Sequence, residues 1–305
     1  PRDKGMGAEE LKVVEGLVDE KFESDPDWTK MDSLCVHQDA AIKQPRIDDE
    51  ARERYDAGAK LVRPFVSRAE SIFRLRQAED VRRSVDKSSG TLWRKRLSHV
   101  MITDKIFQKT ETFRAVGISV CLLLDESGSM IGVNAANLRE QAKKVGAGKS
   151  DGMDLSSADQ AISMAIMMQE ALKKVPKVDV HVYSHASYGD GHEHCLIKHL
   201  DGGVRNEPKG IGGYHHGGEN YDHLAIRIVG ERFMKQAKFQ KRLFFYLADG
   251  CPSGVGYGGM AAVNATKMEV KKLERKGVMM ICLGVSGHNP KTMFTNSIQF
   301  TGNFP

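Results

Sequence analysis

From residue 116 onward, short apolar runs alternate with longer stretches of helical periodicity. Residues 118–124 (ISVCLLL) are almost continuously apolar, the pattern of a strand buried on both faces. Residues 178–183, 243–247 and 278–283 repeat it. Between them, residues 158–174, 222–237 and 260–276 carry apolar positions at helical spacing. This alternation predicts an α/β fold, a central mostly parallel sheet with crossover helices. Right-handed crossovers gather the strand C-termini on one edge, where open α/β sheets bind ligands. Residues 131–156, rich in Ala, Lys and Gly, interrupt the pattern after the first strand without a clear assignment. Residues 294–305 are too few for a closing helix.

Residues 1–115 read differently, as a mostly helical, charged region with an extended arm. Leu11, Val14, Val18 and Phe22 recur at helical spacing until Asp25-Pro26-Asp27 breaks them. A second stripe runs through Val62, Phe65, Val66, Ala69, Ile72 and Phe73, with Pro64 placed near the start of its helix. After Ser88-Ser89-Gly90 the periodicity dissolves into an extended stretch, expected to lie against the domain of residues 116–305.

Composition narrows the function classes. The 305 residues are 40% hydrophobic and 28% charged, a soluble globular balance. No apolar run reaches the length of a membrane span, and the first residues, PRDKGMGAEELK, carry no apolar leader. Five cysteines (Cys35, Cys121, Cys195, Cys251 and Cys282) are scattered without a CxxC pair, which predicts a reducing, cytoplasmic setting. The net charge of +5 is mild, and the basic residues between Arg52 and Arg96 are interleaved with acids. That pattern describes solvated helix faces and argues against nucleic acid as partner.

The chemistry concentrates directly after the first buried strand, in Asp125-Glu126-Ser127-Gly128-Ser129-Met130. In DxSxS, alternate residues of a tight loop put one carboxylate and two hydroxyls on the same side. Hard cations such as Mg²⁺ take oxygen ligands at roughly 2.0–2.1 Å. Neutral hydroxyls leave a divalent ion much of its charge, so it favours an acidic group from outside as its last ligand. The strand LFFYL ends in Ala248-Asp249-Gly250, which brings a second carboxylate to the same edge.

LLLDESGSM followed by FFYLADGCPSG resembles the von Willebrand factor A (VWA) fold, a Rossmann-like domain, with its metal-ion-dependent adhesion site. More narrowly, the chain resembles the VWA region of the cobaltochelatase subunit CobT and its relatives over about residues 90–290. Residues 90–96, Asp104-Lys105-Ile106-Phe107, DESGSM, Glu219-Asn220-Tyr221-Asp222 and Ala248-Asp249-Gly250-Cys251-Pro252 carry the likeness. It implies a subunit that is not catalytic by itself and docks on a MoxR-type AAA+ ATPase. The resemblance also implies the metal set. Asp125 and Asp249 would hold Mg²⁺ or another divalent cation through water, and Ser127 and Ser129 directly. The family's usual Thr has no counterpart; Asn220 stands in its place, and Asn220 or Asp222 would complete the inner sphere.

Other patterns admit rival readings. Ser127 lacks the GxSxG surroundings of a hydrolase nucleophile. Gly254-Val255-Gly256-Tyr257-Gly258-Gly259 fits GxGxxG, but Asp249 to Ser253 separate it from the strand. It therefore reads as a flexible loop beside the metal rather than a pyrophosphate turn. Histidines gather between His181 and His223, and His185, His192, His194 and His199 form a candidate second metal site. Trp93 with its basic neighbours reads as an anchor for the extended arm, and Cys251 as an ordinary thiol. Two functions follow. In the first, the domain captures an acidic side chain of a protein partner through Mg²⁺, as adaptor or co-chaperone of a MoxR-type ATPase. In the second, it is the non-ATPase subunit of a chelatase that inserts cobalt or magnesium into a tetrapyrrole. The chain has no GxxxxGK[ST] loop, so ATP hydrolysis belongs elsewhere in both.

Overall fold

The computed structural model describes residues 42–43, 45, 47–78, 81–87, 91–92, 94, 105, 107–112, 117–130, 134–147, 154–188, 194–200, 208–215, 217–250, 252–254, 257–285 and 290–299. Seven strands make the main sheet: β1 (Ile42–Lys43), β5 (Ile118–Asp125), β6 (Val178–Tyr188), β7 (His194–His199), β8 (Lys241–Ala248), β9 (Val278–Gly284) and β10 (Asn296–Gln299). Their order is β1-β7-β6-β5-β8-β9-β10. β6, β5, β8, β9 and β10 run parallel, while β7 is antiparallel to β6 and carries β1 parallel to itself. A separate antiparallel sheet joins β2 (Val81–Lys87), β3 (Thr91–Leu92) and β4 (Phe107–Thr112) in the order β2-β4-β3. The stretch after Ser88, expected to be an extended arm, thus contributes short paired strands.

Five α-helices are described: α1 (Asp49–Ala78), α2 (Ala135–Gly146), α3 (Ser157–Leu172), α4 (Asp222–Gln236) and α5 (Gly259–Arg275). They cover both faces of the main sheet. Val120, Leu122 and Leu124 of β5 join one core with Leu61 and Val62 of α1, Leu138 of α2 and Ile162 of α3. Cys121 and Leu123 join the other, with Val229 and Phe233 of α4 and Val270 of α5. Every residue of β5 is buried, which accounts for its unbroken apolar run. At about 1.5–3 kcal/mol per fully buried aliphatic side chain, this central strand is a principal source of stability.

The helical stripe around Val62 begins at Asp49 rather than near Pro64. Asp48 caps it, its Oδ1 accepting from the Ala51 amide at 2.9 Å, and Asp49 and Glu50 complement the helix dipole in the first turn. Pro64 therefore sits inside the helix, removing one backbone donor. Lys60 and Pro64 both lie on the exposed side, where the missing donor is not a buried loss, while Leu61, Val62 and Val66 hold the opposite side in the core. Packing overrides the local penalty. The insertion after the first strand is resolved in part as α2, capped by Asn134, whose Oδ1 accepts from the Ala136 amide at 2.9 Å. The final residues supply β10, not a helix.

The change of sequence character near residue 116 does not interrupt the packing, since β1 extends the main sheet and α1 shares its core. Among the described residues no helix is long and apolar enough to cross a membrane. Leu61→Ala should therefore cost about 2–5 kcal/mol and shift one cooperative unfolding transition, followed by circular dichroism in urea. An early separate transition, with the main midpoint unmoved, would show instead that α1 folds as its own unit.

Candidate metal centre

The sheet order reverses its direction of growth at β5. From β5 the chain adds β6 and β7 on one side, then returns to add β8, β9 and β10 on the other. Such a switch point opens a crevice at the carboxyl ends of the two central strands. Leu124 of β5 pairs with Leu247 of β8, so Asp125 and Asp249 emerge at this crevice from neighbouring strands.

Asp125 is fully buried. Its Oδ1 accepts from the Ser127 amide at 2.8 Å and its Oδ2 from Asn220 Nδ2 at 3.1 Å. The Ser127 and Ser129 hydroxyls lie 3.0 Å apart, so the loop does put both on one side. Ser127 is buried and Ser129 exposed, which leaves the site an opening toward solvent. Met130 turns back into the core and anchors the end of the loop.

Asn220 bridges two loops: its Oδ1 accepts from the Ser253 amide at 2.7 Å, and its backbone N–H donates to Ser253 O at 2.9 Å. A backbone N–H can only donate, so the side-chain oxygen is committed to Ser253 and the NH₂ group faces Asp125. Asn220 thereby ties the β5 loop to the β8 loop. Asp222, the first residue of α4, is fully buried instead. Among the described residues neither of its carboxylate oxygens accepts a hydrogen bond of normal geometry. The Tyr246 hydroxyl, 3.0 Å from His185 Nε2, is near enough to temper its acidity shift without closing a well-formed bond.

The electrostatics follow from this crowding. Burial, with the charge of Asp249 adding to it, pushes Asp222 up to about 7. Burial, then the charges of Asp222 and Asp249, hold Asp125 well above the usual carboxylate range. Asp249 itself is nearly buried, at 4% exposure. Carboxylates that share a low-dielectric site resist ionising together, and a cation relieves that conflict. Among the described residues no three His, Cys, Asp or Glu side chains gather closely enough to hold an ion by themselves. The remaining ligands would have to be the serine hydroxyls and water. All available donors are oxygens, and the set fits a hard divalent cation such as Mg²⁺.

Sequence reasoning passed over two residues that build this loop. Glu126 is fully buried and receives Lys198 Nζ at 2.7 Å on Oε2 and the His215 amide at 3.0 Å on Oε1. Burial raises its pKa, and Lys198 opposes the rise. Tyr214, also fully buried, donates its hydroxyl to the Asp125 carbonyl. A Glu at the second position of the motif gave a signal, but its partner lies on β7, a strand the apolar pattern did not mark.

Of the four candidate histidines, His185 and His199 have described side chains. His185 Nε2 is engaged with Tyr246, and burial lowers its pKa to about 3, so the ring stays neutral. His199 stacks on Tyr183 with ring centres 4.5 Å apart. His194 opens β7 opposite Tyr188, and His192 lies outside the described residues, as do Trp93 and Cys251. The glycine-rich loop is pinned where it is described. Gly254 and Tyr257 exchange backbone bonds of 2.6 and 3.0 Å, and the buried Tyr257 reaches Thr266 Oγ1 at 3.1 Å.

Lys198→Met should destabilise the protein by about 3–5 kcal/mol, because it strands the Glu126 charge in the interior. The double variant Lys198→Met with Glu126→Gln should recover part of that loss in urea denaturation. A mild effect of the single variant would mean that Glu126 is not charged there.

No family model matches the chain, and no curated protein matches it. Among solved structures it is similar to the pilus adhesin SpaC from Lactobacillus rhamnosus GG in its open conformation, at 15% identity and a TM-score of 0.34, over 57% of this chain and 24% of that one. A second form of the same adhesin gives 14% identity and a TM-score of 0.37, over 63% of this chain and 29% of that one. The chain thus spans only about a quarter of the length of these neighbours, and likeness at this level says nothing of what it binds. The mixed α/β sheet is compatible with a VWA-like fold.

Proposed function

We propose that the chain is a metal-dependent protein-binding module of the VWA type, in which Mg²⁺ at the β5–β8 edge captures an acidic side chain of a partner. The observation that carries this reading is the buried convergence of Asp125, Asp222 and Asp249 beside two hydroxyls, with both oxygens of Asp222 lacking a normal hydrogen-bond donor. Ser127 and Ser129 would bind the ion directly, Asp125 and Asp249 mainly through water, and Asp222 takes the place first considered for Asn220. Bound there, the ion supplies positive charge that a partner's carboxylate can meet. The exposed position of Ser129 leaves that approach open. The resemblance of DESGSM and Ala248-Asp249-Gly250 to CobT supports a narrower form of the reading, an adaptor docked on a MoxR-type AAA+ ATPase.

The number of carboxylates bears on the balance. Each further carboxylate around a divalent ion, whether in contact or through water, steadies it yet leaves it less charge for an incoming carboxylate. Asp222→Asn should accordingly weaken Mg²⁺ binding, read by calorimetry.

Mg²⁺ at 100 times its Kd should stabilise the wild type by about 2.7 kcal/mol, visible as a rise in thermal midpoint. Asp125→Ala should lose this rise while keeping its circular dichroism spectrum. In pull-downs from native lysate, partner retention should depend on Mg²⁺ and vanish in EDTA and in Asp125→Ala. Equal retention in EDTA would end the proposal.

A further inference from the structure

The segment from Pro208 to Asn220 runs between α1 and the metal loop and is fastened at both ends. Its first part is a 3-10 helix, Pro208–Gly213. There Gly212 O accepts from Arg54 Nε at 2.8 Å, and Arg54 is itself 9% exposed. A Cβ on Gly212 would overlap the Ala51 carbonyl, so the strap lies directly on the α1 backbone. Ile211 and Tyr214 enter the core shared by α1 and α3.

From Tyr214 onward the same strap bonds to Asp125, Glu126 and Gly128 of the metal loop. The Tyr214 hydroxyl donates to Asp125 O, the His215 amide to Glu126 Oε1 at 3.0 Å and the Gly217 amide to Glu126 O at 2.7 Å. Gly128 N donates to Gly218 O at 2.8 Å, with Gly218 at a φ of 82° that favours glycine. Glu219 then exchanges two 2.7 Å bonds with Ser187 of β6, and Asn220 reaches the Asp125 carboxylate. Residues far apart in sequence, Arg54 and Asp125, are thereby joined through one continuous run of backbone.

We propose that Arg54 and Tyr214 are positioning residues for the metal loop, and that α1 sets the geometry of the DxSxS turn through this strap. A loop that must offer two hydroxyls and a carboxylate at fixed separation gains affinity when it is held in place before the ion arrives. Without the Arg54 donor the Gly212 carbonyl loses its charged partner, and without the Tyr214 hydroxyl the Asp125 carbonyl is left unpaired in the interior. The effect on Mg²⁺ rests on the metal reading above; the effect on the loop does not.

The test uses the full chain with Arg54→Ala, Tyr214→Phe and, as a control of comparable destabilisation away from the strap, Val66→Ala. Hydrogen exchange of the Gly128 and Gly217 amides in metal-free protein should quicken about tenfold or more in the first two relative to the control. Mg²⁺ affinity by calorimetry should fall about tenfold in the same two and stay unchanged in Val66→Ala. If both strap variants exchange these amides like the control, the positioning role is overturned. If exchange quickens but wild-type protein takes up no Mg²⁺, the strap's hold on the loop stands and the metal reading is what fails.

Discussion

Carboxylates buried close together are the constraint around which this molecule is arranged. Asp125, Asp222 and Asp249 come from the end of β5, the start of α4 and the end of β8; the charges of Asp222 and Asp249 raise the cost of ionising Asp125, and that of Asp249 the cost of ionising Asp222. A sheet of aliphatic strands has no internal use for such a cluster. Its interior would be better served by apolar side chains of the same volume. The strand order puts the crevice where these three positions meet, and the paired hydroxyls of Ser127 and Ser129 lie on the loop that leads out of β5.

Holding that cluster requires polar support that is itself buried. Asn220 spans the two loops, Glu126 takes Lys198 and two strap amides or their equivalents on its side chain and backbone, and Tyr214 closes on the Asp125 carbonyl. Behind them, Tyr246 and the neutral His185 form a second row against the sheet. Low dielectric strengthens each of these bonds and also raises the penalty for leaving one unmade. The DxSxS turn is therefore held from behind by buried bonds, while Ser129 stays open to solvent.

What the sequence disclosed depended on how local the cause was. The four central strands and helices α3, α4 and α5 follow from periodicity, because each is buried along its own length. β7 and β10 escaped, since residues 194–199 mix His, Cys and Lys with two aliphatics and residues 296–299 hold a single one. Their strand state comes from neighbours already in place. The helix start at Asp49 was hidden by Pro64, whose usual meaning is cancelled by burial on the opposite side. At the site, Asp125, Ser127, Ser129 and Asp249 stood out by spacing. The commitment of Asn220's oxygen to Ser253, and the pairing of Glu126 with Lys198, are long-range facts that no local window contains.

β1 gives the sheet an asymmetry of margins. Ile42 and Lys43 lie along Ile197 and Lys198, so among the described residues the outermost strand on that side is two residues long, whereas β10 ends the other side. Bare strand borders are templates on which further chains can add, and very short terminal strands are one of the ways folded proteins discourage this. A pair of residues near the start of the described chain thus makes one flank of the sheet a poor seed for stacking copies of itself.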